Sequence, residues 1–457
     1  MDYRYRTDEE MKDSGVEWVD KIPKYWNISK WGYVTKILTD YTANGSFGDL
    51  AKNVKYLDYE EYARLVRLVD LRENLMNQGI YVTKKAYDYL SKSSLFGDEF
   101  LIANVGANSG FVCKMPTVNY HCTLAPNMMM ARFYEDKVIN DFMIYSANSN
   151  GVQNQLLTKS TQSSAQPKLN KDDFRTTQFV LPPIKEQKNI ILFLNKKIAQ
   201  FDSIISKKEA LIEKLEEAKK SLISEVVTGK VKVVKTDDGY DLVERKKEEM
   251  KDSGVEWLGE IPKEWAAKRL KYLFKIRKDI AGKLGYDVLS VTQSGIKIKD
   301  ITRNEGQLAM DYSKYQLVDV NDYIMNHMDL LTGFVDCSKF KGVTSPDYRV
   351  FRLKDFNNCK EYYNFIFQSC YYNKIFYGLA QGVSGMGRWR LQTDKFLNFI
   401  LPSPSINEQR IISEIVESKL EEFNILRDRL KFNIQKLKEA KQSLISEAVT
   451  GKIEILD

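Results

Sequence analysis

The chain has 457 residues, roughly three times the size of a common domain, so a single small module is excluded. With 43% apolar and 12% aromatic residues it can bury several cores, which excludes a disordered chain. The net charge is a modest +7, no stretch approaches the roughly 20 apolar residues that cross a bilayer, and the acidic and basic start (Asp2, Arg4, Arg6, Asp8, Glu9, Glu10) has no signal core, so membrane and secretory readings fall away.

In chain order, a polar leader runs into residues 11–26, MKDSGVEWVDKIPKYW. A first insert, roughly 27–165, mixes short strands with helices. Residues 100–105 read as a strand leading to the turn Gly106-Ala107-Asn108-Ser109-Gly110, and residues 151–155 and 159–168 read as polar loops. Cys113, His121 and Cys122 lie close in sequence but form no CxxC, and they read as small buried or turn residues rather than ligands. The lack of paired cysteines fits a reducing compartment. After the turn at Leu181 and the pair Glu186-Gln187 comes a long helix whose apolar positions step by three and four: Leu194, Ile198, Phe201, Ile205, Ile212, Leu215, Leu222 and Val226, interrupted by Lys208 and Lys219. It stops at Thr228-Gly229.

The pattern then starts again. Asp241, Arg245, Glu248 and Glu249 echo Asp2, Arg6, Glu9 and Glu10, and residues 250–265, MKDSGVEWLGEIPKEW, match residues 11–26 at 12 of 16 positions. A second insert, roughly 266–385, opens on Lys268, Arg269, Lys271, Lys275, Arg277, Lys278 and Lys283, has a strand near residues 322–325 and a helix over 362–376, and gives way to the segment Gln381 to Arg390. A second long helix follows Leu401 and Glu408-Gln409, with the seam Val416, Leu420, Phe423, Leu430, Ile434, Leu437, Leu444 and Ala448, interrupted by Arg427 and Lys441. Residues 214–230 and 436–452 agree at 14 of 17 positions. The chain is a tandem duplication in which two near-identical frames carry two divergent inserts.

Connectivity requires the two helices, each a rod of ~60 Å at 1.5 Å per residue, to run antiparallel, with seams expected to match position for position. The leader should dock near Asp457, as its second copy follows a helix end. The fold class is α+β: two α/β domains separated by an antiparallel pair of long coiled-coil helices, an internal repeat with pseudo-twofold symmetry. The boundaries read as 1–180 (with the repeated segment 1–26), 181–235, 236–400 (with 250–265) and 401–457.

Charge is local. Residues 151–200 carry +5, and 251–300 and 351–400 carry +4 each, while every other block lies between −2 and zero. Clustered cations suit a phosphate backbone, whose counterions they displace. Lys159, Lys168, Arg388 and Arg390 are candidates for phosphate or groove contact; Gln153, Asn154, Gln155, Gln162, Gln381 and Ser384 for base readout. Asn108, Gln166, Lys297 and Trp389 complete the candidate DNA-binding set. No P-loop, GxSxG elbow, HExxH or strand-borne GxGxxG occurs, so no catalytic residue and no metal site are assigned.

The paired DSGVEW-x3-IP-x2-W segments, the LP(P/S)…EQ helix starts and the AKxSLISExVTGK helix ends resemble the DNA specificity subunit of type I restriction-modification enzymes over nearly the whole chain. The resemblance implies two target recognition domains that read the halves of a bipartite DNA site, and a subunit that catalyses nothing. It implies assembly with two modification subunits, which use S-adenosylmethionine to methylate adenine, and with restriction subunits that use ATP and Mg2+. A bacterial or archaeal cytoplasmic setting goes with it. The rival reading is a non-enzymatic protein-interaction scaffold with two divergent binding modules.

Overall fold

The structure, a computed structural model, describes residues 2–161, 167–237, 239–300, 311–382 and 389–456. It divides into two compact units, residues 1–208 with 432–457, and residues 209–431. Each contains one insert, one frame and one end of each long helix.

The frame motifs are scattered in sequence and meet in space, identically in both units. In the first, strands Met11–Val16 and Val19–Pro23 form a hairpin whose first strand shifts register between Asp13 and Val16, where a left-handed residue is needed. Gly15 supplies it at φ +73°, and the Asp13 carboxylate accepts its N–H at 2.8 Å. Gly254 (φ +67°) and Asp252 repeat this at 2.9 Å. The indole of the buried Trp26 donates to Glu186 at 3.1 Å, and the Arg6 guanidinium donates to the same carboxylate at 3.3 Å. In the second unit Trp265 and Arg245 do so to Glu408, at 2.9 and 3.1 Å. The next residue is a glutamine that reaches into the insert. Gln187 accepts from the Ile139 N–H at 2.8 Å and donates to the Lys137 and Pro182 carbonyls. Gln409 accepts from the Cys359 N–H at 2.9 Å and donates to the Pro404 carbonyl. Each glutamine thereby satisfies an N–H at the start of an insert helix, Asn140–Ala147 or Lys360–Tyr372. Gly451 (φ +74°) and Gly229 (φ +80°) end the long helices against Pro23–Trp26 and Pro262–Trp265, where an added Cβ would lie 2.5 Å from a proline ring carbon.

The expected docking of the leader is found, and its form has an internal parallel. Strand Tyr3–Tyr5 pairs antiparallel with Ile453–Ile455, and the Arg6 N–H donates to the Lys452 carbonyl at 3.0 Å. In the second unit the continuous hairpin Val231–Thr236 and Gly239–Glu244 makes the same pairing, with the Arg245 N–H on the Lys230 carbonyl at 2.9 Å.

The inserts, unlike in sequence, share a central antiparallel sheet. Its strand order is Val112–Lys114, Phe100–Ala103, Met128–Phe133, Thr35–Asp40 in the first unit and Val335–Cys337, Tyr323–Met325, Arg349–Leu353, Phe274–Arg277 in the second. Edge-on aromatic packing fills one face of each, Trp31, Phe100 and Phe133 in one and Phe274, Tyr323 and Phe367 in the other. Divergence is concentrated outside this sheet. The first unit adds a second sheet, Ile80–Val82, Ala63–Val66, His121–Leu124, Ser94–Leu95, in which His121 stacks on Tyr62. The second adds two separate pairs, Leu289–Thr292 with Gly295–Ile298 and Gln316–Val318 with Gly342–Thr344.

The long helices are Ile184–Val227 and Ile406–Thr450, each stopping at the expected Thr-Gly. In the first unit the early part of one meets the late part of the other, with Leu194, Ile198 and Phe201 packed in the cluster that holds Leu444, Ile445 and Ala448. In the second unit Leu222, Ile223 and Val226 share a cluster with Val416 and Leu420. The helices therefore run in opposite directions. Ile205, Leu430 and Ile434 are buried, while Ile212, Leu215, Phe423 and Leu437 are half-buried. Two of the seam interruptions are paired charges: Lys441 with Asp202 at 2.6 Å and Arg427 with Glu216 at 3.8 Å. The expected position-for-position match needs correcting, since Arg427 stands where the first helix has Ile205, and Leu430 where it has Lys208. The second-insert helix is also shorter than expected: Lys360–Tyr372 ends before Lys374, whose left-handed φ of 55° precedes a separate turn, Ile375–Gly378.

Candidate DNA interface

In the first unit the stretch expected as polar loops is largely helix, Asn150–Thr161. Val152, Leu156 and Ser160, four apart, face inward and are buried. Gly151 lies so close to Trp18 of the frame that a Cβ would meet its ring at 2.4 Å, which is why the repeated tryptophan tolerates only glycine there. Three of the expected contact residues have partners within the unit. Gln155 uses both ends of its amide on the Gln178 backbone, at 3.0 Å each. Lys159 donates to the Asp173 carbonyl and to the Thr176 and Thr177 hydroxyls at 3.0–3.3 Å, and burial holds its pKa below the ordinary lysine value. Gln153 donates to the Ala147 carbonyl at 2.8 Å. These side chains brace the scaffold, while Asn154 is exposed.

Two expected residues are brought together. Asn108 and Lys168 are both exposed, and their segments join where the Gly106 N–H donates to the Pro167 carbonyl at 2.9 Å and Val105 bridges Lys168. The Asn108 side-chain oxygen accepts from Arg72 at 2.6 Å, and the Arg72 guanidinium lies 5.5 Å from the Phe111 ring centre. Sequence reasoning missed Arg72, because nothing in the sequence ties it to a turn 36 residues away.

In the second unit Arg390 is exposed on a short hairpin, Gln381–Gly382 with Trp389–Arg390. Its base is anchored on buried polar groups. The Leu391 N–H donates to the His327 carbonyl at 3.0 Å, and Arg349 donates to the Leu391 carbonyl at 3.0 Å while lying 4.5 Å over the Phe396 ring. Burial, with the nearby Arg349 and Arg390 charges, lowers the His327 pKa to about 3; burial likewise lowers that of Arg349 to about 10. Lys297 is exposed on a different hairpin, Leu289–Thr292 with Gly295–Ile298. For Gln381 and Trp389 the backbone alone is described, and Gln162, Gln166, Ser384 and Arg388 lie outside the described residues.

The basic run of the second insert forms a strand, a helical turn and a strand, Ala266–Arg269, Leu270–Leu273 and Phe274–Arg277. One of its members is not available to phosphate. Arg277 is bound by Asp279, Asp319 and Asp322 at 2.5–2.7 Å, a network that Arg352 joins through Asp319 and Asp322.

The family model described as "Type I restriction modification DNA specificity domain" matches residues 23–216 and 262–435, one match in each half of the repeat. Among curated relatives, the type I restriction enzyme MjaVIII specificity subunit of Methanocaldococcus jannaschii is 25% identical over 340 residues, 70% of this chain and 72% of its own. A solved chain from work on complex assembly and conformational transition of the type I R-M system aligns over 94% of this chain and 99% of its own, at TM-score 0.62 and 13% identity, a likeness of fold. The HsdS subunit of Thermoanaerobacter tengcongensis aligns over 96% of this chain and 100% of its own at TM-score 0.49 and 13% identity. Two frames of one design, two unlike inserts on a common sheet, and a model match in both halves make this chain a member of the type I restriction modification DNA specificity family, a non-catalytic specificity subunit.

Proposed function

We propose that the two inserts read the two unlike halves of one bipartite duplex target, and that the long helices fix the number of unread base pairs between them. The observation that carries this reading is the pairing of one repeated frame with two sheets of equal strand order and different surroundings. Readers about one helical turn apart, ~34 Å, would address one face of the duplex. In this reading Asn108, Asn154, Lys168, Lys297 and Arg390, the candidates exposed in the structure, face DNA, the lysines and arginine mainly toward phosphate.

The near-identical frame surfaces present one docking face twice, which suits two copies of a modification subunit carrying S-adenosylmethionine. Restriction subunits using ATP and Mg2+ would join that assembly. No described helix is long and apolar enough to cross a membrane, and a cytoplasmic setting is part of the proposal.

The test is selection of duplexes from a randomised library by the full chain, followed by titration with salt. A bipartite sequence should be enriched, and affinity should fall steeply with salt in proportion to the phosphates neutralised. A flat salt response with no enriched sequence would favour a protein-binding scaffold. Cleavage or methylation by the chain alone, given Mg2+, ATP or S-adenosylmethionine, would overturn the division of labour.

A further inference from the structure

Resting on that reading, we infer that Arg72 is a base-reading residue of the first unit, presented to guanine by Asn108 and Phe111. Three observations converge on it. The first is its pose. Arg72 is exposed, yet it is fixed by a 2.6 Å hydrogen bond to the Asn108 side-chain oxygen and lies over the Phe111 ring at 5.5 Å. The fork of a guanidinium matches O6 and N7 of guanine, and stacking one face on an aromatic ring leaves that edge free while lowering the entropy lost on binding.

The second is the turn that follows it. Asn74 and Leu75 are consecutive left-handed residues without glycine, at φ 49° and 62°, a conformation that persists only where the surroundings impose it. They are imposed here by a buried polar cluster. Asp70, fully buried, accepts from Arg67 and from Asn77 at 2.8–2.9 Å, and the buried Arg64 donates to the Leu75 carbonyl at 2.7 Å and to the Asn77 side chain at 2.8 Å. Gly79 makes room for this, since a Cβ there would lie 2.8 Å from Arg64 Nε. The tip, Met76, is 86% exposed, so the turn does not hold its shape by burying its own apex. A rigid, strained turn next to a pre-set arginine is a means of placing that arginine.

The third is position. Asn108 belongs to the turn joined at Val105–Gly106 to Pro167 and Lys168, so the proposed base reader and an exposed lysine, the candidate phosphate contact, lie on neighbouring segments of one unit.

The experiment is duplex selection from a randomised library by the full-length chain and by its Arg72→Ala, Arg72→Gln and Asn108→Ala variants. The Arg72→Ala chain should bind the wild-type sequence about tenfold more weakly and lose preference at one G·C pair, the other half-site remaining intact. Arg72→Gln should move that preference toward adenine, and Asn108→Ala should weaken binding less, since it frees the arginine without removing it. An unchanged sequence preference for Arg72→Ala and Arg72→Gln, or a uniform loss of affinity at every sequence, would overturn the inference. Failure of the wild-type chain to enrich any sequence would instead strike at the parent reading. Because Arg72 is exposed, matched thermal melts of the variants separate lost recognition from lost folding.

Discussion

Replacing Gly451 by alanine should destabilise the first unit far more than the same change at Gly254 destabilises the second, and the difference measures the helix-end packing. Both glycines are left-handed, at φ +74° and +67°, so each alanine carries the backbone cost of about 1–2 kcal/mol. At Gly254 nothing lies within 4 Å of the added carbon. At Gly451 it would meet Pro23 Cγ at 2.5 Å and the Trp26 ring at 2.7 Å, and neither a proline ring nor a tryptophan 1% exposed can swing aside. Overpacking of this kind adds about 1–3 kcal/mol, giving about 2–5 kcal/mol in total. Gly229, 2.5 Å from Pro262 and 3.0 Å from Trp265, should behave like Gly451 but in the other unit. Urea unfolding followed by tryptophan fluorescence reads the effect as a shift in midpoint, with each unit's transition analysed separately. Equal midpoint shifts for Gly451→Ala and Gly254→Ala would refute the packing argument.

Acidification should weaken the second unit through His327. Its folded pKa, about 3, lies below the ordinary 6.5, so the unfolded chain takes up a proton that the folded one refuses. The stabilisation is full above pH 6.5, falls as pH drops toward 3, and amounts to a few kcal/mol, so His327→Gln should flatten the pH dependence of unfolding in that window. Asp322→Ala leaves Arg277 and Arg352 facing Asp319 and Asp279 with the buried carboxylate gone, and should cost about 2–4 kcal/mol in denaturant unfolding, less than a fully buried pair because both arginines are partly wetted. A half-chain ending near Lys235 should form a symmetric dimer with a symmetric target, detectable by light scattering and duplex selection. In that dimer Asp202 would find Lys219 in place of Lys441, whereas Glu216 would meet Ile205 instead of Arg427, so its association should be weaker than the native pairing. A monomeric half would count against the part of the seam that the two helices share.

The repeat made the frame legible. Two copies of DSGVEW, EQ and TGK exposed which residues recur, and the structure shows why: Gly15, Glu186, Gln187 and Gly451 each satisfy a strand irregularity, an indole, an amide or a close approach. The helix direction followed from connectivity alone. The common sheet of the inserts was not legible, because strands such as Phe100–Ala103 and Tyr323–Met325 need only be apolar, and many sequences satisfy that. The candidate interface was read by composition, which cannot tell an exposed amide from one turned inward. Asn108 and Lys168 lie on the surface, while Gln155 and Lys159, equally polar in sequence, sit on the inner side of a helix whose period was masked by Gly151 and by the polar Ser160 among its buried positions. Arg72 reaches its partners only through the fold.

Gln187 and Gln409 grip their inserts mainly by main-chain atoms, the Ile139 and Cys359 amides and the Lys137 carbonyl, with one side chain, Asn358, added at 3.3 Å by Gln409. Every amino acid but proline offers the same amide, so this part of the socket asks little of the sequence plugged into it, whereas Trp18 asks for a glycine at position 151. A lineage can therefore trade one reading head for another, and acquire a new address on the genome, while renegotiating only a few positions of the joint.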